Sequence, residues 1–493
     1  LTIRGLGFGT YDPNTRAAVW LGDNRLDILS WTDREIVAFV GRNVDAGPHQ
    51  LTIVASNEQT TVNGLTIHVL RVPDNPNQTA YNPARYEVGL GMTYDPSNPQ
   101  YARPDLGPIQ AALDAAYSAG GEALVVVYPG LTNTFTNPLG FYLENPVIYS
   151  PDKLQGIGPG GIYTDGTAVM GTILDGRGVG GNEDYAGTWR TLVGDIWLTR
   201  GGWDGSPEDG DGNPRIYEGP VITVFAEDGE FTDGFQTSID GFKIQGGDQQ
   251  GFPNNLNQVG GEQIPGVPAE VVIQGGGIFV NGYARHLRIT NNQIENNGGA
   301  YAGAIRLGTP DMAEPYKDNQ NDDILIGRNR IVGNGGTNLA GAIGVFAGAD
   351  NYEIAGNDIC GNFSAEYGGG ISHYGESPGG SIHHNRIYFN RSYDEGGGIM
   401  IAGELTTALS PGAGPVDVHA NLLQGNLAND DGGGLRFLMA GNFPFNVYNN
   451  MIVNNISTHE GGGVSLNDAP DVRFYNNTVM NNLTTATAMT SNG

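Results

Sequence analysis

Hydrophobic residues in the second half of the chain recur in a fixed phrase: a hydrophobe, two variable positions, then Asn. It reads Ile289-x-x-Asn292, Ile326-x-x-Asn329, Ile354-x-x-Asn357, Ile382-x-x-Asn385, Val418-x-x-Asn421, Val447-x-x-Asn450 and Phe474-x-x-Asn477. Successive Asn residues lie 37, 28, 28, 36, 29 and 27 positions apart. A second phrase, small–Gly–small–hydrophobe, alternates with the first and ends at Ile278, Ile305, Ile343, Ile371, Ile399, Leu435 and Val464. From the Asn to the next hydrophobe is 14 residues in five repeats and 13 in one, whereas the return half varies from 13 to 24. Insertions therefore enter at one corner, as the loops 308–323 and 403–415. Apolar residues within a repeat sit two to five apart and hold no helical period, so the local elements are strands. Self-similarity at this period predicts a solenoid, and coils of ~27–29 residues suit three parallel faces. A single coil cannot bury its apolar side, so the core exists only through stacking. Coils ~4.8 Å apart let aligned Asn side chains hydrogen-bond along the stack. Asn and Gly also suit left-handed backbone at tight corners. Asn292, Asn329, Asn357, Asn385, Asn421, Asn450 and Asn477 are thus expected to form a structural ladder.

Earlier residues show different patterns. Strand-like runs at 1–4, 18–21, 35–40, 50–54 and 65–69 are separated by turn signals at Gly22-Asp23-Asn24 and Asp45-Ala46-Gly47-Pro48. Short strands at this spacing predict a small β-sandwich over 1–72. A Pro/Asn-rich linker, 73–103, follows. Residues 108–119 place Ile109, Ala112, Leu113 and Ala116 on one helical face. The apolar run 123–128 then reads as a strand. A helix here would cap the open end of the solenoid and shield its edge. The solenoid is expected over 104–493.

Leu1-Thr2-Ile3-Arg4-Gly5-Leu6-Gly7-Phe8-Gly9, with the later runs 47–54 and 63–69, resembles IPT/TIG immunoglobulin-like domains. That resemblance implies a spacer or docking module without catalysis. Residues 109–116, 125–130 and 154–158 together resemble the start of pectin-lyase-like proteins. The repeats over 275–482 are similar to those of polymorphic outer-membrane adhesins and autotransporter passengers. The implied fold class is all-β: a right-handed single-stranded parallel β-helix with an N-terminal immunoglobulin-like β-sandwich. These families share a fold and differ in function, so fold alone does not decide activity.

Composition narrows the function classes. The chain has 493 residues, 79 of them Gly, a formal net charge of −29 and 39% hydrophobic content. That is too apolar for disorder. It is too acidic for a nucleic-acid backbone, which needs clustered Lys and Arg; the lysines are Lys153, Lys243 and Lys317 alone. The single cysteine, Cys360, excludes an intrachain disulfide and a cysteine-rich zinc site. No stretch approaches the ~18 apolar residues of a membrane span. The chain opens inside a strand-like pattern at Leu1 and ends in mid-repeat at Gly493, so both ends read as cut from a longer precursor, with the β-helix truncated at its C-terminus. Missing targeting signals then carry no weight.

Four candidates for chemistry stand out. Glu366-Tyr367, Asp394-Glu395, Asp430-Asp431 and His459-Glu460 fall nine and ten residues after the repeat Asn and should stack in register. Like charges ~4.8 Å apart repel by about 1 kcal/mol in water and roughly 3 at an effective dielectric near 20. Bound cations, shifted pKa values or outward splaying must offset this. Glu366, Asp394, Glu395, Asp430, Asp431 and Glu460 are therefore candidates for binding Ca²⁺ or sugar, or for an acid/base pair ~5–9.5 Å apart as in glycoside hydrolysis. The competing reading is turn chemistry in a solvated corner. Second, Asp204, Asp209, Asp211 and Asn213 alternate with Gly much as calcium loops do, without the EF-hand spacing. Asp318, Asn321, Asp322 and Asp323 form a weaker version. Third, Trp189, Trp197 and Trp203 in the insertion between Asp175 and Pro220 suit either sugar stacking or a satellite core. Fourth, a lyase would need a basic residue beside calcium. Arg285, Arg288, Arg306 and Arg328 are available, and His373, His383 and His384 are expected at the surface.

The reading favoured by these features is an extracellular or cell-surface scaffold or adhesin. It would engage polysaccharide or other surface proteins through its loops or acidic stripe, with Ca²⁺ as the one cofactor expected. The alternative is a polysaccharide lyase or glycoside hydrolase of the pectin-lyase-like type. A third is self-association into an extracellular fibre, since an open β end is a template for pairing.

Overall fold

The computed structural model describes the chain except for residues 62, 72–79, 90–104, 133–136, 163, 201–218, 248–275, 300, 309–317, 337, 404–410 and 486–493. The protein is mostly β, with long parallel sheets whose neighbours come from successive repeats, compatible with a parallel β-helix.

One coil shows the plan. Ile371–Tyr374 belongs to a nine-stranded sheet whose strands follow the glycine runs. The chain crosses the corner that takes insertions and enters Gly380–His383, part of an eleven-stranded sheet, here called the long sheet. It turns at Asn385 into Arg386–Tyr388 of a nine-stranded middle sheet, then at Asn390 into the two-residue strand Arg391–Ser392 of a short seven-stranded strip. All pairing within these four sheets is parallel and in register, for example Ile354↔Ile382↔Val418. The repeated hydrophobes Ile289, Ile326, Ile354, Ile382, Val418 and Val447 form one buried column of a core running through the solenoid.

The Asn ladder expected at the first corner is present. The backbone N–H and Nδ2 of Asn357 both donate to Asn385 Oδ1, at 2.9 and 3.0 Å, and Nδ2 also donates to Ile326 O at 2.9 Å. The same three bonds repeat from Asn292 to Asn450, which donates to Asn477. Each buried side-chain amide thus satisfies two backbone groups of the preceding coil, as Asn357 does for Ile326 O and Asn329 N–H, and bonds the Asn of the next. A second ladder, missed by the sequence reading, stacks five residues further on: Asn297, Asn334, Asn362, Asn390, Asn426, Asn455 and Asn482. The left-handed backbone sits on the residue before each ladder Asn, not on the Asn itself. His384 (φ 55), Phe389 (φ 55) and Ala420 (φ 54) hold it as well as Asn and Gly. The glycine runs have a packing reason. A Cβ at Gly397 would lie 2.5 Å from the Leu427 carbonyl carbon of the next coil.

The capping helix is Pro108–Ser118, burying Ile109, Ala112, Leu113 and Ala116 as expected. Residues 84–88 correct the linker boundary. Ala84–Val88 is a strand that pairs parallel with Ala123–Val127 and closes the long sheet at that end. Its mixed Ala-Arg-Tyr-Glu-Val sequence hid it among loop residues. Glu144, fully buried, reaches the start of the helix and accepts the Ile109 N–H at 3.0 Å. Gly107 (φ 101) makes room, since a Cβ there would lie 2.2 Å from the Glu144 carboxyl carbon. Helix N-termini favour an anion, but burial wins and pushes the Glu144 carboxyl up to about 8. A carboxyl raised in the folded state contributes stability present below its ordinary pKa and lost as pH rises through about 8. The expected result is that wild-type melting temperature falls from pH 5 to pH 9 relative to Glu144→Gln; parallel pH profiles for the two proteins would refute this.

The N-terminal residues form two antiparallel sheets. One orders Thr2–Arg4, Glu35–Phe39, Asp27–Trp31; the other Asn24–Arg25, Ala18–Leu21, Gly47–Val54, Leu65–Val69. They enclose their own core, including Val19, Leu21, Ile36 and Ile53. This unit docks on the flank of the long sheet. Asp240, buried in strand Ser238–Asp240, accepts Thr66 N (2.9 Å), Thr66 Oγ1 (2.7 Å), Thr290 Oγ1 (2.6 Å), Asn291 Nδ2 (2.7 Å) and Gln155 Nε2 (2.8 Å). His68 bonds Gln155 Oε1 at 2.9 Å, and Gln50 bonds Asn291 Oδ1 at 2.9 Å. A buried carboxylate with five donors fixes the angle between the two parts.

Candidate functional site

The acidic pairs stack in register, as the repeat spacing required. Glu395 N donates to Glu366 O at 3.1 Å, Asp430 N to Asp394 O at 2.9 Å, and His459 N to Asp430 O at 3.1 Å. Glu366, Asp394, Glu395 and Asp430 are part-buried, Asp431 is buried and Glu460 is exposed. What offsets the repulsion is an arginine the sequence reading did not name. Arg436 lies in strand Leu435–Leu438 and is only 3% exposed. Its Nε and Nη2 grip Glu395 at 3.0 and 3.2 Å, and Nη2 also meets Asp431 Oδ2 at 3.0 Å. Nη1 bonds Ser465 Oγ. The other oxygen of Asp431 accepts Glu460 N at 2.8 Å and faces His459 Nδ1 at 3.0 Å. Burial raises the Glu395 carboxyl despite Arg436, and the bond to Asp431 raises the His459 imidazole. Arg436 could have been found by its place one residue after the repeat hydrophobe Leu435, where other coils carry Gly344, Ser372 or Met400.

Asp430, Asp431 and His459 are the group of ligand atoms close enough to share a metal ion among the described residues. The donor set does not fit calcium, which takes six to eight oxygens: one donor is an imidazole and one carboxylate is held by Arg436. The loop with Asp204, Asp209, Asp211 and Asn213 lies outside the described residues. Asp322 is bonded by Arg285 at 3.2 Å, and Asp350 beside it is pushed up to about 6 by burial and then by Asp322 and Asp318.

The remaining candidates disperse. Arg285 also pairs with Asp228 at 3.0 Å. Arg306 is buried among Phe279, Tyr301 and Phe346, and burial lowers its pKa to about 9. Arg288 is half-buried in strand Arg288–Thr290, and Arg328 occupies a left-handed corner. Trp189 packs in a satellite core under helix Glu183–Arg200, with Nε1 donating to Asn145 O at 2.9 Å. Trp203 lies outside the described residues, as does the side chain of Trp197.

His373 overturns the expectation of a surface position. It is fully buried, with Nε2 at 2.8 Å from Gly375 O and 3.0 Å from Ala413 O. Carbonyls only accept, so Nε2 carries the proton and Nδ1 accepts the Tyr352 hydroxyl at 2.9 Å. Burial lowers its pKa to about 4, so it is a neutral core residue. His383 does lie on the outer face of the long sheet, and His384 at the exposed corner that follows it. His383 begins a column of stacked rings through His419, Tyr448 and Tyr475, at 4.8, 4.7 and 5.2 Å between centroids. This column runs up one outward row of the sheet, beside the polar row Ser381, Asp417, Asn446 and Arg473.

Comparison with known proteins gives no match to a family model, to a curated sequence or to a solved structure.

Proposed function

We propose that this chain is an extracellular or cell-surface scaffold that engages glycans without cleaving them. In this reading its solenoid is a right-handed parallel β-helix and its first 72 residues an immunoglobulin-like sandwich. Right-handedness follows the general rule for crossovers between parallel strands. The observation that carries the reading is the state of the stacked carboxylates. Glu395 and Asp431, the inner pair of the stripe, are held by the buried guanidinium of Arg436. An acid/base pair for glycoside cleavage needs one carboxyl free to give a proton and the other free to reach the sugar or its water. Here both are engaged by one interior cation, which makes this inner pair part of a structural ion network. The outward rows of the long sheet, with imidazoles and phenols beside Asp417, Asn446 and Arg473, offer polar and aromatic groups for binding instead.

The test is a panel of acidic and neutral polysaccharides incubated with the full chain, with and without EDTA. Retention of one or more polysaccharides with no release of unsaturated uronates or reducing ends is expected. Calcium-dependent unsaturated product would replace this reading with a lyase. Reducing ends without unsaturation would replace it with a hydrolase, and failure to retain any polysaccharide would refute glycan engagement.

A further inference from the structure

An open cleft of about 420 Å³ lies where the N-terminal unit meets the solenoid. Arg4, from the edge strand Thr2–Arg4, faces it from one side, and Lys243, Gln293 and Arg330 from the middle sheet. These three are register partners on consecutive coils, so their side chains emerge side by side from one face. Ile157, Ile162, Val169 and Met170 supply an apolar wall, with Ile157 37%, Ile162 60% and Met170 38% exposed. The hairpin that carries Ile162 and Val169, Gly161–Ile162 with Ala168–Val169, is tied to the N-terminal unit by Arg34. That guanidinium bonds Thr167 Oγ1 at 2.9 Å and Asp165. Together with the five-donor junction at Asp240, this holds the walls from both parts in place, and a preformed cleft binds at lower entropic cost.

The charge of this cleft runs against that of the chain. The protein carries a formal −29, yet three cations converge here. Lys243 holds Glu295 at 2.6 Å and Arg4 holds Glu35 at 3.2 Å, each with N–H donors left over. Arg330 is exposed and feels the Glu295 charge, but makes no ion pair at contact distance among the described residues. A forked guanidinium suits a carboxylate or sulfate, whose oxygens it can bond two at a time. The apolar wall suits the less polar face of a ring attached to that anion, and the volume is that of a small-ligand site.

We infer that this cleft binds an acidic saccharide unit, carrying a carboxylate or sulfate, with the anion on Arg330 and Arg4 and the ring against Ile162 and Met170. The inference rests on the glycan reading and names the chemical class of ligand and a second place where it is held. The test titrates the full chain calorimetrically with a uronate disaccharide, its carboxyl-reduced neutral counterpart and inorganic sulfate. The same titrations are made on the double variant Arg4→Ala/Arg330→Ala, whose melting curve first confirms that it folds. Expected is binding of the uronate that weakens with salt and falls at least tenfold in the variant, with no binding of the neutral sugar. Equal binding of the neutral sugar, equal affinity in the variant, or sulfate binding as tightly as the disaccharide would overturn it. Polysaccharide retention by the same variant separates the two ideas. Undiminished retention with a failed uronate titration refutes the cleft and leaves the glycan reading standing.

Discussion

Asn385→Ala is expected to destabilise the middle of the solenoid by about 3–5 kcal/mol, the summed cost of leaving two buried donors without an acceptor. Asn385 Oδ1 accepts both the backbone N–H and the Nδ2 of Asn357, at 2.9 and 3.0 Å. Its own N–H and Nδ2 donate to Asn421 Oδ1 at 3.0 Å each, and Nδ2 also donates to Ile354 O at 2.8 Å. Alanine removes the acceptor and opens a small void, with no water-accessible route for repair. Asn477→Ala is the internal comparison. Asn477 ends its ladder in the described residues and is exposed to a degree that lets water replace it, so its loss should cost about 1 kcal/mol. Denaturant unfolding, with hydrogen exchange at the Asn357 and Asn450 amides respectively, measures both. Equal effects at the two positions would show that the ladder is not cooperative.

Arg436→Met is expected to be as damaging at neutral pH and far less so in acid. Removing one partner of a buried ion pair costs about 3–5 kcal/mol because the other charge stays buried. Here two carboxylates, Glu395 and Asp431, would lose the same cation. Burial already raises the Glu395 carboxyl in the wild type, and without Arg436 the rise is larger. A folded-state pKa raised further means the variant's deficit is greatest above that pKa. It shrinks as pH falls and Glu395 takes up a proton. Thermal unfolding of variant and wild type from pH 4 to pH 8 checks this, and Glu395→Gln added to Arg436→Met should recover part of the loss at pH 7. A deficit that does not change with pH would mean that Arg436 acts through packing rather than charge.

These two experiments touch residues that differed in legibility. Asn385 was visible because a coil that stacks on copies of itself repeats its corner residues at the coil period. The second ladder followed the same rule, and Asn390 stands five residues after Asn385 in plain view. The hydrophobe-x-x-Asn phrase marks only the first corner and does not single this one out. Arg436 was not visible in this way. Its column runs Arg306, Gly344, Ser372, Met400, Arg436 and Ser465, with no residue type recurring at every coil, so no period announces it.

The sequence by itself determined the coil: its length, its inward hydrophobes, the corner that takes insertions, the capping helix and the register of the acidic pairs. All of these follow from local periodicity, since a strand's facing and a repeat's spacing are properties of adjacent residues. Tertiary structure alone decided the rest. It placed Arg436 between two carboxylates from different coils and buried His373 under Tyr352. It turned residues 84–88 into the outermost strand of the long sheet and set Arg4 opposite Arg330 across a cleft. Each of these depends on contacts between residues far apart in the chain, whose pairing is fixed by which faces are left to cover once the coils have stacked.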